Sequence, residues 1–154
     1  MRTSDLVGQL EARLTAGFTW YQLLMTGSHL GAAGALVERV LLDDRVPESE
    51  RVRLVVESES AMSAAEGVAH RIDDGGTGET MLADSLYVRC FVQDALAREV
   101  PHAVELLGHP GSTGSDGVGC LGAVIGGLAL QPPQQPRMTG PLAAYLIDGL
   151  LTVA

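Results

Sequence analysis

Lysine is missing altogether: all ten basic side chains of this 154-residue chain are Arg, against 19 acidic ones, for a formal charge of −9. The arginines are scattered, so no basic stripe exists to neutralise phosphates, and nucleic-acid binding is excluded. Cysteine is scarce. Cys90 and Cys120 have no metal-type spacing and are too few for a disulfide scaffold, so the simple reading is a reduced, cytoplasmic protein. Aromatics make up 4% of the residues while 46% are hydrophobic, so the core must be packed from aliphatic and small side chains. Long apolar runs are lacking too. The longest one free of both charged and polar side chains, residues 117–130, falls short of the about 20 residues of a membrane-spanning helix. Met1-Arg2-Thr3-Ser4-Asp5 has no apolar core behind its charge, so neither a signal peptide nor a membrane anchor is expected.

Strand signals are nearly absent, and helical periodicity takes their place. Residues 16–42 carry Leu23, Gly27, Leu30, Gly34, Val37 and Leu41 at three- and four-residue steps. Gly27, Gly31 and Gly34 each cost roughly 1 kcal/mol against Ala inside a helix, a cost to be recovered by packing. The pattern predicts a central helix buried on more than one side, with a second backbone close by. Before it, residues 4–14 read as a short amphipathic helix with Ser4 as N-cap, ended by Gly17. After Asp43-Asp44, Pro47 opens a second helix that runs to about Ile72, with Val52, Val55, Val56, Met62, Ala65 and Ala69 as its apolar stripe. Thr77 is placed to cap a third, which Pro101 should bend or break. A turn-rich loop at 108–115 leads to a glycine-rich fourth helix at about 116–130. Residues 131–136, Gln-Pro-Pro-Gln-Gln-Pro, read as an extended linker, and Thr139 and Pro141 open a last short helix to Leu150. The fold expected is all-α: an antiparallel four-helix bundle with short extra N- and C-terminal helices, in one domain over residues 1–154.

These pieces together resemble the C-terminal helical domain of the acyl-CoA dehydrogenases over roughly residues 15–130. Ala16-Gly17-Phe18 resembles the end of that family's Gly-x-Gly-Phe element. Thr26-Gly27-Ser28-His29-Leu30-Gly31 is similar to the small-residue stretch of its first C-terminal helix. The run from Ala83-Asp84-Ser85-Leu86-Tyr87 to Val104-Glu105-Leu106-Leu107-Gly108 resembles its third bundle helix. The resemblance implies an acyl pocket, packing into dimers or tetramers, and a flavin held between this bundle and further domains. Several functional elements differ. Asp44-Arg45-Val46-Pro47 stands where an Arg-x-x-Phe-Gly element holds the flavin diphosphate, and Gly108-His109-Pro110-Gly111 where a Gly-Gly-x-Gly turn is usual. Residues 131–136 replace the Glu-Gly-Thr segment that carries the usual catalytic base. Tyr21 matches the position of the alternative base on the first helix, and a phenol with a pKa of about 10 is a poor base for an acyl α-proton.

Tyr21 and His29 lie two helical turns apart near one face, around the Gly27-Ser28 notch. Histidine can shuttle a proton near neutral pH and tyrosine can donate to an oxyanion; equally, both can be interface or core residues with satisfied polar tips. Glu66 and His70 share a face of the second helix, but a di-iron carboxylate pattern is absent, so a stabilising surface pair is the reading favoured over a metal site. Cys90 and Asp94 lie one turn apart on the third helix without an activating His in sequence. His102 follows the proline kink, and His109 sits in the glycine-rich turn. The expectation drawn is a flavin-free biosynthetic enzyme with no cofactor of its own. It would cyclise, dehydrate or isomerise a hydrophobic acyl or polyketide-like substrate through Tyr21 and His29, as a homodimer or homotetramer. The alternative is a non-catalytic helical subunit of a split dehydrogenase, with FAD bound only when a partner subunit is present.

Overall fold

The computed structural model describes residues 3–108, 115–149 and 151, and among these there is no strand. Five α-helices follow one another: α1 (Thr3–Leu41), α2 (Glu48–Asp73), α3 (Gly78–Leu107), α4 (Ser115–Gly126) and α5 (Gln135–Asp148), with one 3₁₀ turn, Gly127–Leu130, after α4. The expected all-α bundle is thus present. Short turns make α1, α2 and α3 run back along one another. α4 closes the bundle against α1 and α3, and α5 packs mainly on α3.

The expected break at Gly17 does not occur. α1 is one 39-residue rod, about 58 Å long at 1.5 Å per residue, because a single glycine lowers helix stability without blocking a hydrogen bond. Nor does Pro101 divide α3. Pro101 and Ala97 are both exposed, so the carbonyl that the proline leaves unbonded can be hydrated. The 131–136 linker is shorter than expected, since α5 already begins at Gln135. Pro136 stands in its first turn, where no amide hydrogen is needed. Pro47 is the N-cap of α2, and Glu48 and Glu50 follow in the first turn, where the helix dipole favours acids. Thr77 occupies the N-cap of α3 without a side-chain capping bond.

Two glycines turn the chain between α2 and α3 for different reasons. Gly75 has φ +97°, a conformation side chains resist, while a Cβ on Gly76 would sit 2.6 Å from the Arg71 carbonyl oxygen.

The main core gathers Leu30, Leu36, Val40, Leu54, Val92, Leu96, Ile125 and Leu128 from all four bundle helices and the 3₁₀ turn. A smaller one joins Leu82, Ala83 and Leu86 of α3 to Met138 and Leu142 of α5 and to Leu151, with Phe18 against it. On α2 the buried stripe is Leu54, Ala61, Ala65 and Val68; Val52 and Val56, expected inside, are about 60% exposed. α1 is buried on one side only. Gly27, Gly31 and Gly34 have nothing within 4 Å of an added Cβ, so no second backbone of the described residues approaches them. From Arg13 to Glu38 the helix carries no Asp, Glu or Arg between those two residues, although Trp20, Leu24, Gly31, Gly34 and Ala35 are exposed. Thr19, Thr26 and Ser28 satisfy their hydroxyls on carbonyls four residues back. No helix of the described residues is long and apolar enough to cross a membrane.

Candidate functional site

The corner between the 3₁₀ turn and α5 is non-helical because it contains consecutive prolines, and the Pro132–Pro133 peptide is cis. It lies against the middle of α1 and α3. There it borders an open cavity of about 620 Å³, lined by Phe18, Tyr21, Leu130, Pro132, Pro133, Gln134 and Arg137. Phe18 and Tyr21, one turn apart on α1, present near-parallel rings with centroids 6.3 Å apart. The Tyr21 hydroxyl donates to Gln131 Oε1 at 3.2 Å. The two positions singled out for a catalytic base, Tyr21 and the 131–136 stretch, therefore meet at one cavity although they are far apart in sequence. Neither brings a carboxylate.

Behind this wall stands a residue that sequence reasoning passed over. Arg89 of α3 is fully buried, and among the described residues none of its hydrogen-bond partners is a carboxylate. One terminal nitrogen donates to Gln22 Oε1 and, at 3.1 Å, to the Pro132 carbonyl. The other donates to the Gln131 carbonyl and, at 3.4 Å, to that of Leu128. Burial lowers its pKa from the ordinary guanidinium value, an effect opposed by Tyr21 and Cys90 nearby, and a guanidinium keeps its proton in proteins. Arg89 thus fastens three segments, the turn of α1 next to Tyr21, the end of the 3₁₀ turn, and the proline corner. The available signal was a lone cation inside Leu86-Tyr87-Val88-Arg89-Cys90-Phe91-Val92, an otherwise uncharged run.

His29 does not join Tyr21. Its Nδ1 faces the Met25 carbonyl at 2.7 Å and must carry the proton there, and its Nε2 lies 3.6 Å from where a Cβ on Gly127 would stand. It is 8% exposed and lines neither cavity. The second cavity, about 240 Å³ between α3 and α4, is mostly aliphatic, with Gln93 and Asp94 on its wall. Gln93 Nε2 donates to Gln135 Oε1, and Gln135 Nε2 to Asp94, which ties α5 to α3.

The remaining candidates are dispersed. Cys90 is half-buried, and burial, reinforced by Asp94, pushes its thiol pKa up. Glu66 and His70 are both exposed on α2. His102 pairs with Glu50 across α2 and α3 at 2.8 Å. His109 lies outside the described residues. Among the described residues no group of three or more His, Cys, Asp or Glu is placed to hold a metal ion.

No protein-family profile matches this chain, and no solved structure does. Isobutylamine N-hydroxylase of Streptomyces viridifaciens is 36% identical over 151 residues, 98% of this chain and 40% of that protein. The chain therefore spans about two-fifths of that relative's length.

Proposed function

We propose that this helical chain forms the substrate-facing part of a flavin-dependent oxygenase that hydroxylates the nitrogen of a small aliphatic amine, with the rest of the flavin site supplied from outside these 154 residues. The relative's name motivates the reaction, and the likeness to acyl-CoA dehydrogenases motivates the flavin. The observation that carries the reading is the chemistry of the larger cavity. Among the described residues its lining has no Asp, Glu or His, while one arginine lines it and another lies just behind it. Abstraction of an acyl α-proton needs a base there. An amine nucleophile needs the opposite: nearby positive charge without a carboxylate disfavours the ammonium form and leaves the nitrogen lone pair free.

The residues present also fit a flavin. A cavity of about 620 Å³ lies within the usual range for small-ligand sites, about 300–1,000 Å³. Phe18, Tyr21, Pro132 and Pro133 offer flat apolar faces to a ring, and Gln134 and Arg137 are the polar groups beside them. When bound, a reduced flavin supplies the two electrons with which O₂ places one oxygen atom on the amine and releases the other as water. The chain's own part is to bind and orient. The Tyr21 hydroxyl, already donating to Gln131, has acceptor capacity left for an amine N–H. Buried Pro133 and half-buried Phe18 form the apolar end of the cavity. His29, fixed to Met25 away from the cavity, is assigned to packing, so the reading does not use an acid–base pair with Tyr21.

The test is to supply the chain, together with the polypeptide that completes its flavin site, with chemically reduced flavin, O₂ and isobutylamine in the presence of catalase, and to follow the gain of one oxygen atom by mass spectrometry. Hydroxylamine formation that falls at least about tenfold in Tyr21→Phe is expected, a loss of roughly 1.4 kcal/mol of transition-state stabilisation. Turnover of an acyl thioester without flavin would overturn the reading in favour of acid–base chemistry. For self-association we propose the uncharged face of α1 and a twofold dimer. A single monomer-mass species in sedimentation at all concentrations would remove that part.

A further inference from the structure

The smaller cavity, the groove of about 240 Å³ between α3 and α4, has a buried aliphatic floor of Leu96, Val100, Ile125 and Leu128. Its polar groups come from one edge of α3, where Gln93, Asp94, Ala97 and Pro101 follow at helical steps. Asp94 decides which atoms there are acceptors. A carboxylate only accepts, so the Gln135 atom bonded to it at 3.2 Å is the amide nitrogen, Nε2. Gln135 Oε1 is then left to accept from Gln93 Nε2 at 3.0 Å. The remaining amide atom of Gln93 is therefore its oxygen, Oε1, which is buried without a hydrogen-bond partner among the described residues. Keeping such an orphan is costly. A second acceptor lies one turn on. Pro101 has no amide hydrogen to give the Ala97 carbonyl, and both residues line the groove. The third is Asp94 itself, with which no arginine of the described residues pairs. The groove thus combines an apolar floor, three acceptors and one negative charge, and among the described residues no cation lines it.

We propose that this groove is a separate binding site for a short-chain primary alkylammonium ion. The ammonium group carries three N–H donors and one positive charge, which match Gln93 Oε1, the Ala97 carbonyl and the Asp94 carboxylate. The hydrocarbon lies on the aliphatic floor. A volume below the about 300–1,000 Å³ of drug-sized ligand sites limits it to a few carbons. No lysine occurs in the chain, so a second copy has no ammonium side chain to place here. The two cavities share no lining residue, and the proposal does not rest on the flavin reading. At the larger one the want of an acid favours a neutral amine; here an acid holds the charged form.

The test titrates the full ¹⁵N-labelled chain with butylammonium chloride and with butanol, at one ionic strength, and follows the amide signals. Butylammonium should shift Ala97, Gly122 and Gly126 saturably and bind at least about fivefold more tightly than butanol, its uncharged counterpart. Asp94→Asn should bring the two affinities together and leave that for butanol unchanged. An Asn oxygen still accepts from Gln135, so this variant keeps α5 tied to α3. Gly122→Ala places a Cβ in ordinary contact, 3.6 Å from Val100 Cγ1, and should weaken both ligands by at least about threefold. Equal affinities for the unmodified chain would overturn the proposal, as would shifts confined to Phe18, Tyr21 and Gln134. Tight butylammonium binding that survives both substitutions would also overturn it. Nα-acetyl-lysine N-methylamide binding more tightly than butylammonium would overturn it in favour of a lysine from another protein. Oxygen transfer at the larger cavity is read by a different assay, so neither failure entails the other.

Discussion

Replacing Arg89 by methionine keeps much of the side-chain length and removes every one of its donors. Two of the four acceptors, the Gln22 amide oxygen and the Leu128 carbonyl, lie in fully buried residues and cannot turn to water. Each costs about 1–3 kcal/mol when left unpaired. The Gln131 and Pro132 carbonyls belong to a partly exposed corner and can be hydrated. Against the loss stands the relief of no longer burying an unpaired cation, which is worth several kcal/mol before the new vacancies are counted. These terms nearly offset, leaving Arg89→Met less stable by about 2 kcal/mol. The sharper quantity is the coupling to Gln22. Gln22→Leu alone leaves a buried guanidinium short of an acceptor, whereas the double variant removes both ends of the bond. The two single losses should therefore exceed the double loss by about 1–2 kcal/mol. Equilibrium urea unfolding followed by far-ultraviolet circular dichroism measures all four corners of the cycle. Additivity within about 0.5 kcal/mol, or an Arg89→Met chain as stable as the parent, would refute the account of Arg89 as the fastening of the cavity wall.

Glu99 is buried with one oxygen accepting from Ser58 at 3.1 Å and the other without a partner, and burial holds its carboxyl above the ordinary carboxylate range despite the Ser58 bond. A raised folded-state pKa means stability is lost as pH rises from the unfolded value, about 4.3, through the folded one. Glu99→Gln should thus raise the Tm at neutral pH, by about 2–4 °C per kcal/mol, and change it little near pH 3.5; equal shifts at both would refute this. Gly76→Ala must push a Cβ against the Arg71 carbonyl and should cost about 1–3 kcal/mol in thermal unfolding. Gly31→Ala meets open space and should stabilise the isolated chain by up to about 1 kcal/mol, turning to a loss in any dimer that uses this face. Tyr21→Phe gives up one exposed hydrogen bond and should alter stability by less than about 1 kcal/mol, so that its effect on oxygen transfer is separable from folding.

Helix identity was legible from periodicity and helix order from the turn signals, since short polar breaks at 43–47 and 74–77 leave little choice of topology. Registers were less so. α2 carries apolar residues on two faces, and the branched Val52 and Val56 outweigh Leu54 and the small Ala61 and Ala65 in any count, yet the small residues are what lets α2 lie close to its neighbours. Gly17 and Pro101 misled because a helix breaker acts only when the surroundings offer no compensation. At the site, Tyr21 and the 131–136 stretch were each flagged separately by resemblance, and only folding brings them together. His29 was drawn in by its spacing from Tyr21 and by the resembled acyl pocket, and an eight-residue separation on a helix says nothing of which ring finds a carbonyl of its own turn first. Arg89 escaped because a buried cation without an acid has no sequence partner to announce it.

The length of α1 has a mechanical consequence. Every residue from 6 to 14 is exposed, including Leu6, Leu10 and Leu14, so the first quarter of the rod extends past the bundle with little tertiary support. A helical segment that short is marginal in water on its own. It opens and closes by itself while the rest of α1, clamped by α3 and the proline corner, stays shut. Arg13 sits at this boundary and is exposed, which makes it a built-in reporter. Trypsin should clip the free chain there long before it reaches any arginine of the core, and whatever covers the arm in an assembly would be timed directly by how far that first cut is delayed.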